Sequence, residues 1–248
     1  MRPDHRQAQG EHRPQDLPQR RPARVRRLGL TAPVAFADEP WSLDRARPLS
    51  GTWLLVTLLC AVHVISGLWW WWTGHDALSD ALLGERPLAF RQAIGGQHLR
   101  VLGDGGWWRL FTSLFVHGDA IHLLVNATSL YALGRLLEPT LGTWRWLAWF
   151  FVGGVVASAG CWAVGVVQSD GASGGAFALL AAGVWLGLRH RDRWRPDDRA
   201  LMGPILLVFL LGNYALGWVL PGIDALAHTF GALTGLLLAL SDAPKRHG

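Results

Sequence analysis

Six long apolar runs constrain this chain more than any other feature of its sequence. They are residues 53–72, 120–133, 146–167, 171–188, 201–223 and 225–241. A helix that crosses a membrane needs about 20 apolar residues, with a working range of about 17–25. Five runs meet that length. The second is shorter, and we expect its helix to extend N-terminally past Asp119 towards Phe111. The pattern predicts an all-α polytopic membrane protein with six transmembrane helices.

Composition excludes several other classes. Only 17% of the residues are charged, against roughly 25% in soluble domains. The formal charge of +5 would favour nucleic-acid binding if it were spread over a folded surface, but ten of the 23 Lys and Arg residues fall within the first 50 positions. Cys60 and Cys161 lie inside apolar runs and form no CxxC pair, which argues against a thiolate metal site. We therefore expect a lipid bilayer as partner, and no nucleic acid, metal or cofactor.

The basic residues also predict the orientation. If the N-terminus is cytoplasmic, 19 of the 23 Lys and Arg residues lie on the cytoplasmic side. Residues 1–48 have no apolar periodicity and are predicted to be a disordered basic cytoplasmic tail, with a secretory signal or a lipid-attracted tail as alternatives. Residues 49–243 then form the membrane domain, and 244–248 a short cytoplasmic tail. The first outer loop, about residues 73–116, is long enough to have structure of its own.

Polar side chains inside the apolar runs are the functional candidates, because each costs free energy in a membrane. His122 and Asn126 are four residues apart and share one helical face, whereas His117 is about 140° round the helix and should face elsewhere. Ser173 and His228 lie in two later runs. Taken singly, each has an ordinary structural explanation. Together they supply a nucleophile, a base and two hydrogen-bond donors, which is the set that acyl transfer requires.

Small residues favour close contact between the helices of Ser173 and His228. One stripe with i+4 spacing begins at Gly174 and another at Gly231. Such stripes allow two helix backbones to approach closely. A serine and a histidine on different helices need that approach to reach about 3 Å. Generic helix packing is the alternative explanation, but here the stripes begin beside the two candidate catalytic residues.

Four ordered motifs resemble those of the rhomboid family of intramembrane serine proteases. A Trp-Arg pair, Trp108-Arg109, ends the first loop. HGDAIHLLVN then resembles the family's H-x4-H-x3-N helix, GASGGAFALLAA its GxSG nucleophile segment, and AHTFGALTG its sixth-helix AH-x2-G-x3-G motif. The resemblance covers about 190 residues. It implies a rhomboid-like bundle of six helices with a large structured first outer loop.

The resemblance also implies roles for individual residues. Ser173 would be the nucleophile and His228 the general base, while His122 and Asn126 would form the oxyanion hole. The supporting positions, several of them structural, are His117, Gly171, Phe177, Trp108 and Arg109. The implied activity is hydrolysis of peptide bonds in single-span membrane proteins near the outer boundary of a membrane, which we expect to be a bacterial inner (plasma) membrane.

Two positions need comment against the family pattern, Phe177 and Asp224. Family members often carry Tyr where this chain has Phe177, so a hydroxyl is missing there. Asp224 precedes His228 by four residues, and we expect it to cap a helix rather than orient the histidine.

Two other functions remain open. A catalytically silent rhomboid-like protein that binds membrane clients is the first alternative function. A histidine-ligated metal or haem protein is the second, though the chain lacks HExxH spacing.

Overall fold

The computed structural model describes residues 49–98, 105–219 and 224–241. The predictions of a disordered tail at 1–48 and a short tail at 244–248 lie outside the described residues. Within the described part, the protein is mostly helical. One pair of two-residue strands departs from the all-α prediction. These strands, β1 (Gln97–His98) and β2 (Gln168–Ser169), pair antiparallel, with Gln97 opposite Ser169.

The apolar runs form the long helices of the protein. These are α1 (Ser50–Trp72), α5 (Ala120–Leu141), α6 (Thr143–Ala163), α7 (Ser173–Arg189), α8 (Leu206–Val219) and α9 (Ala225–Ser241). A π-helical turn, Leu201–Ile205, leads into α8. Four of the six predicted spans are helices long and apolar enough to cross a membrane, while α7 and α9 are apolar helices of 17 residues each. The protein is thus a multi-pass membrane protein.

Shorter elements connect α1 to α5. They are α2 (Leu78–Leu83), α3 (Leu88–Ala93), β1, α4 (Arg109–Thr112) and a 3-10 turn at Ser113–Phe115. The expected extension of α5 towards Phe111 is wrong. The helix begins at Ala120, because the Asp119 side chain accepts a hydrogen bond from the His122 backbone N–H at 2.7 Å and caps it there.

Helix α7 lies in the middle of the bundle and packs closely against α9. A Cβ atom on Gly231 would lie 2.1 Å from the Gly174 carbonyl oxygen, and one on Gly235 would lie 1.9 Å from the Ala178 carbonyl oxygen. No side chain fits between the two backbones at these positions. The small-residue stripes therefore bring α7 and α9 into backbone contact, as their spacing predicts.

A buried carboxylate joins α5 to α1 at the end of the bundle remote from Ser173, which we call the Glu138 end. Glu138 accepts hydrogen bonds from the Gly51 and Thr52 backbone N–H groups, each at 2.9 Å, and from the Thr52 and Thr143 hydroxyls, each at 2.6 Å. The first two donors belong to the first turn of α1, whose N–H groups have no partner within the helix. Glu138 therefore caps α1 from a neighbouring helix.

Candidate active site

Ser173, His122, Asn126, Phe177 and His228 all line one cavity of about 580 Å³. Its walls come from α5, α7, α8 and α9, from the loop at residues 168–170, and from Glu85, Arg91, Gly118, Asp119 and Asp224. We call this part of the bundle the Ser173 end. The predicted catalytic and oxyanion residues are therefore brought together in one place, although they lie on three helices.

Ser173 is the first residue of α7, and the turn before it determines its setting. Gly171 has φ of 110°, a conformation that only glycine adopts without strain. Its N–H donates to the Ser113 carbonyl at 2.9 Å, which fixes the turn. The N–H groups of the first turn of α7 have no carbonyl partner within the helix, and the helix dipole places partial positive charge there. The Ser173 side chain thus lies where a developing negative charge is favoured.

His228 lies in the first turn of α9, and its ring is held by stacking. The rings of His228 and Phe177 are parallel within 9°, with centroids 3.8 Å apart. The side chain is 7% exposed, and Nδ1 is buried with no hydrogen-bond partner among residues 49–98, 105–219 and 224–241. In the described part of the chain, no hydrogen bond joins Ser173 Oγ to this ring. Phe177 therefore orients the imidazole without using either ring nitrogen.

His122 and Asn126 face the Ser173 turn. The Gly118 N–H donates to His122 Nδ1 at 3.4 Å, so a neutral ring carries its proton on Nε2. A Cβ atom on Gly171 would lie 2.8 Å from that Nε2 and 3.8 Å from Asn126 Nδ2. Asn126 Nδ2 donates to the His122 carbonyl at 3.0 Å, and an amide nitrogen has a second hydrogen to donate. Two N–H donors thus lie beside the turn that carries Ser173.

The prediction that His117 faces away from His122 is wrong. His117 precedes α5, so the helical period does not apply, and its ring packs edge-on against the His122 ring with centroids 5.0 Å apart. It is 1% exposed, and Nδ1 bonds the Phe115 carbonyl at 3.3 Å. Burial lowers the pKa of His117 to about 3, so the ring is neutral at physiological pH. Its contacts place it behind the site, as a support for His122.

A network of hydrogen bonds joins the α3–β1 region to the loop before Ser173. Arg91 pairs with Asp170 at 3.2 Å, and Gln92 Nε2 donates to Gln168 Oε1 at 3.2 Å. Arg109 in turn donates to the carbonyls of Gln92 and Gly96. The Arg109 guanidinium also lies 4.4 Å from the centre of the Trp108 ring. Trp108 and Arg109 thus contact the loop network rather than the cavity.

Asp224 is the N-cap of α9, as its position predicts. One carboxylate oxygen accepts from the Ala227 N–H at 2.9 Å, and the other accepts from the Ser169 hydroxyl at 2.6 Å. The Cys161 thiol lies 3.5 Å from the second oxygen. Among the described residues, no hydrogen bond joins this carboxylate to the His228 ring. The bond to Ser169 is a link that sequence reasoning missed.

Arg86 is a second residue that sequence reasoning missed. Its side chain is 3% exposed and donates to Ser66 Oγ at 2.7 Å and to the His63 carbonyl at 2.6 Å. Burial lowers the pKa of Arg86 to about 10. Its backbone N–H donates to the Gly118 carbonyl at 2.7 Å. Arg86 thus ties α1 to the segment that contacts His122 Nδ1.

Comparison with known proteins decides the family. Residues 104–245, more than half of the chain, match the Rhomboid domain. The chain belongs to the rhomboid family. Rhomboid protease GluP of Bacillus subtilis (strain 168) is 27% identical over 147 residues, which are 59% of this chain and 28% of that protein. The YdcA protein of the same strain is 27% identical over 194 residues, 77% of this chain and 90% of that one.

Rhomboid relatives differ in the activity that their names record. Inactive rhomboid protein 2 of Homo sapiens is 30% identical over 145 residues, covering 56% of this chain and 16% of that protein. This chain thus spans less than a third of the length of that relative and of GluP. Family membership shows a membrane-embedded rhomboid domain, and the question of activity depends on the residues of this chain.

Proposed function

We propose that this rhomboid protein is an intramembrane serine endopeptidase that hydrolyses peptide bonds of single-span membrane proteins. Ser173 acts as the nucleophile and His228 as the general base. The observation that carries the proposal is the convergence of Ser173, His228, His122 and Asn126 on one cavity. A chain that only packed helices would have no need to gather a hydroxyl, an imidazole and two N–H donors around an open space.

The reaction follows from the chemistry of these groups. His228 accepts the Ser173 Oγ proton through Nε2, since Nδ1 is the buried nitrogen, and Oγ attacks the scissile carbonyl. The oxyanion accepts hydrogen bonds from His122 Nε2–H, Asn126 Nδ2–H and the Ser173 backbone N–H. The intermediate collapses as His228 returns its proton to the leaving amine. Water then hydrolyses the acyl-enzyme, with His228 again acting as base.

The depth of Ser173 favours a substrate within the membrane. Helix α7 has 17 residues and is therefore about 26 Å long, shorter than a hydrocarbon core of about 30 Å. If α7 reaches one surface, Ser173 lies below the other. The loop at 168–170 then lines a water-accessible cavity, where irregular backbone is tolerated at membrane depth.

Charge distribution favours one orientation. We propose that both termini lie in the cytoplasm of a bacterium and that the protein lies in its inner membrane. In this orientation, 19 of the 23 Lys and Arg residues are on the cytoplasmic side, where loops of membrane proteins carry an excess of positive charge. Six helices cross that membrane in this arrangement, and residues 73–116 form a large first loop outside. Ser173 then lies near the outer boundary, so cleavage is expected at that level of a substrate span.

The test is cleavage of a single-span substrate by the purified protein in liposomes. We expect the wild-type protein to cut it, and Ser173→Ala and His228→Ala each to lower the rate by at least about 10³-fold while the protein stays folded. The double variant should be no slower than either single variant, because the two residues act as one unit.

A catalytically silent protein that binds membrane clients is the alternative, since the family includes an inactive human member. Binding of the same substrate without cleavage by the wild-type protein would favour that alternative and contradict the proposed activity. The Ser173→Ala variant serves here as the control for binding, because it keeps the cavity without the nucleophile.

A further inference from the structure

We propose that Asp224 is a positioning residue for this reaction, acting through Ser169 rather than on the His228 ring. The inference rests on the proposed function and extends it. Asp224 lies four residues before His228, and Ser169 lies four residues before Ser173. The bond of 2.6 Å between them thus joins the segment that leads to the nucleophile with the segment that leads to the base.

Each partner is tightly coupled to the residue that it would position. The His228 backbone N–H donates to the Asp224 carbonyl at 3.1 Å, so both belong to the first helical turn of α9. Ser169 belongs to β2, and only the short turn at residues 170–172 separates it from Ser173, the first residue of α7. A shift of Ser169 relative to Asp224 is therefore transmitted to the Ser173–His228 separation.

The packing of α7 on α9 explains why such a link is needed. The two backbones touch at Gly231, which is next to the Gly174 carbonyl. Asp224 lies seven residues before Gly231, or about 10 Å along the helix. At this end, α9 is held against α7 and its preceding loop by the stacking of His228 on Phe177 and by the Asp224–Ser169 bond. Without that bond, the first turn of α9 keeps the stacking contact but loses its hydrogen bond to the loop before α7, and a small tilt about the contact at Gly231 becomes easier.

The hydrogen bonds of the carboxylate run to groups other than the imidazole. Its oxygens already accept from the Ala227 N–H and the Ser169 hydroxyl, with the Cys161 thiol also in contact. His228 Nδ1, the atom that a third catalytic residue would bond, is buried and has no partner in the part of the chain that the structure describes. Asp224 therefore reaches the chemistry through the loop and not through the ring.

Three variants distinguish a positioning role of Asp224 from a role as helix cap and from an effect of its charge. Asp224→Asn keeps the cap and retains a group that bonds Ser169, but it removes the charge. Asp224→Ser keeps a good N-cap but is too short to reach Ser169. Ser169→Ala removes the bond from the other side. Thr234→Ala is the control, because its hydroxyl bonds only the Phe230 carbonyl of its own helix.

We expect kcat to fall about 10- to 100-fold in Asp224→Ser and Ser169→Ala, with KM within about twofold, because misplaced reacting groups cost rate rather than binding. The double variant should be no slower than the slower single variant, while Asp224→Asn and Thr234→Ala should keep kcat within about threefold of wild type. Asp224→Asn as slow as Asp224→Ser would show that the charge acts, and Ser169→Ala with wild-type kcat would show that the link does not matter. Either result overturns the proposal.

Amide hydrogen exchange gives a second readout that does not depend on activity. Residues 168–174 should exchange faster in Asp224→Ser and Ser169→Ala than in the wild type or Asp224→Asn. If the wild-type protein fails to cleave, the proposed function fails, but this exchange pattern still tests the link. Unchanged exchange in both variants that break the bond contradicts the positioning role, whatever the activity.

Discussion

The two ends of the helix bundle both bury polar side chains, but they use them in different ways. At the Glu138 end, one carboxylate accepts four hydrogen bonds from α1 and from the start of α6. At the Ser173 end, the hydroxyl of Ser173 and the ring of His228 line a cavity and make no hydrogen bond with each other in the described part of the chain. A polar group whose hydrogen bonds are all satisfied within the protein, such as Glu138, holds helices together. A polar group that faces a cavity with hydrogen-bonding capacity to spare is available for chemistry.

Among variants that keep Ser173 and His228, the largest effect is expected at the oxyanion donors. His122→Ala and Asn126→Ala should each lower kcat about 10²–10³-fold, because each removes a donor to the transition state. The thermal unfolding temperature should change little in Asn126→Ala. The control is Thr128→Ala on the same helix, whose hydroxyl bonds only carbonyls of the preceding turn. A wild-type rate in Asn126→Ala would remove that residue from the proposed mechanism.

A smaller loss is expected when α7 and α9 are forced apart. The added methyl of Gly231→Ala would lie 2.1 Å from the Gly174 carbonyl, so the helices must separate at a cost of about 1–3 kcal/mol. Activity should fall about tenfold along with the unfolding temperature. Gly212→Ala in α8 is the matched control, since its Cβ would meet no described atom within 4 Å. Equal tolerance of both substitutions would show that close contact at Gly231 is not required.

At the Glu138 end, we expect a loss of stability with little change in kcat. Glu138→Gln places an amide nitrogen against donors that now lose their acceptor, which should cost about 1–3 kcal/mol of stability. The kcat of the remaining folded protein should stay within about twofold of wild type, because Glu138 is far from the cavity. Measurement of unfolding and of rate per folded molecule tests this. A large drop in kcat at unchanged stability would break the distinction between the two ends.

The last prediction concerns pH, and its effect is expected in acid rather than at neutral pH. Burial lowers the pKa of His117 from 6.5 to about 3 in the folded protein, so the unfolded chain binds the proton more readily. The contribution of His117 to stability is therefore complete above about pH 6.5 and is lost as the pH falls towards 3. His117→Gln should show a weaker loss of unfolding temperature on acidification than wild type. The exposed His75→Gln is the control, and parallel pH curves for His117→Gln and wild type would contradict the assignment.

The sequence predicted the helices and the approach of α7 to α9 better than the connections between distant segments. Apolar length located the long helices, and the bounds predicted for the last one, 225–241, match α9. Spacing also indicated that His122 and Asn126 share a face and that α7 approaches α9. Each of these inferences depends on a local period or on composition. They therefore required no knowledge of which distant segments contact each other.

Links between distant segments carry no such period. Nothing near Arg86 in the sequence indicates that it is buried against α1, and nothing near Asp224 indicates a bond to Ser169, which is 55 residues away. His117 differs in another way. The helical period predicts that it faces away from His122, but His117 lies outside the helix, so that period does not apply to it. Long-range hydrogen bonds depend on tertiary structure, so they appear only when the fold is known. The start of α5 is different, because its cause is the local Asp119 cap, a signal present in the sequence.

The most direct test of the central claim is labelling with a fluorophosphonate, which forms a covalent bond with a serine only when a base activates it. The protein in liposomes would be treated and the modified residue located by peptide mass spectrometry. We predict an adduct on Ser173 in the wild-type protein and in Thr128→Ala, no adduct in His228→Ala, and loss of substrate cleavage in proportion to labelling. Cleavage that continues in Ser173→Ala, or an adduct that forms on Ser173 equally well without His228, would contradict the proposal that these two residues form the catalytic pair.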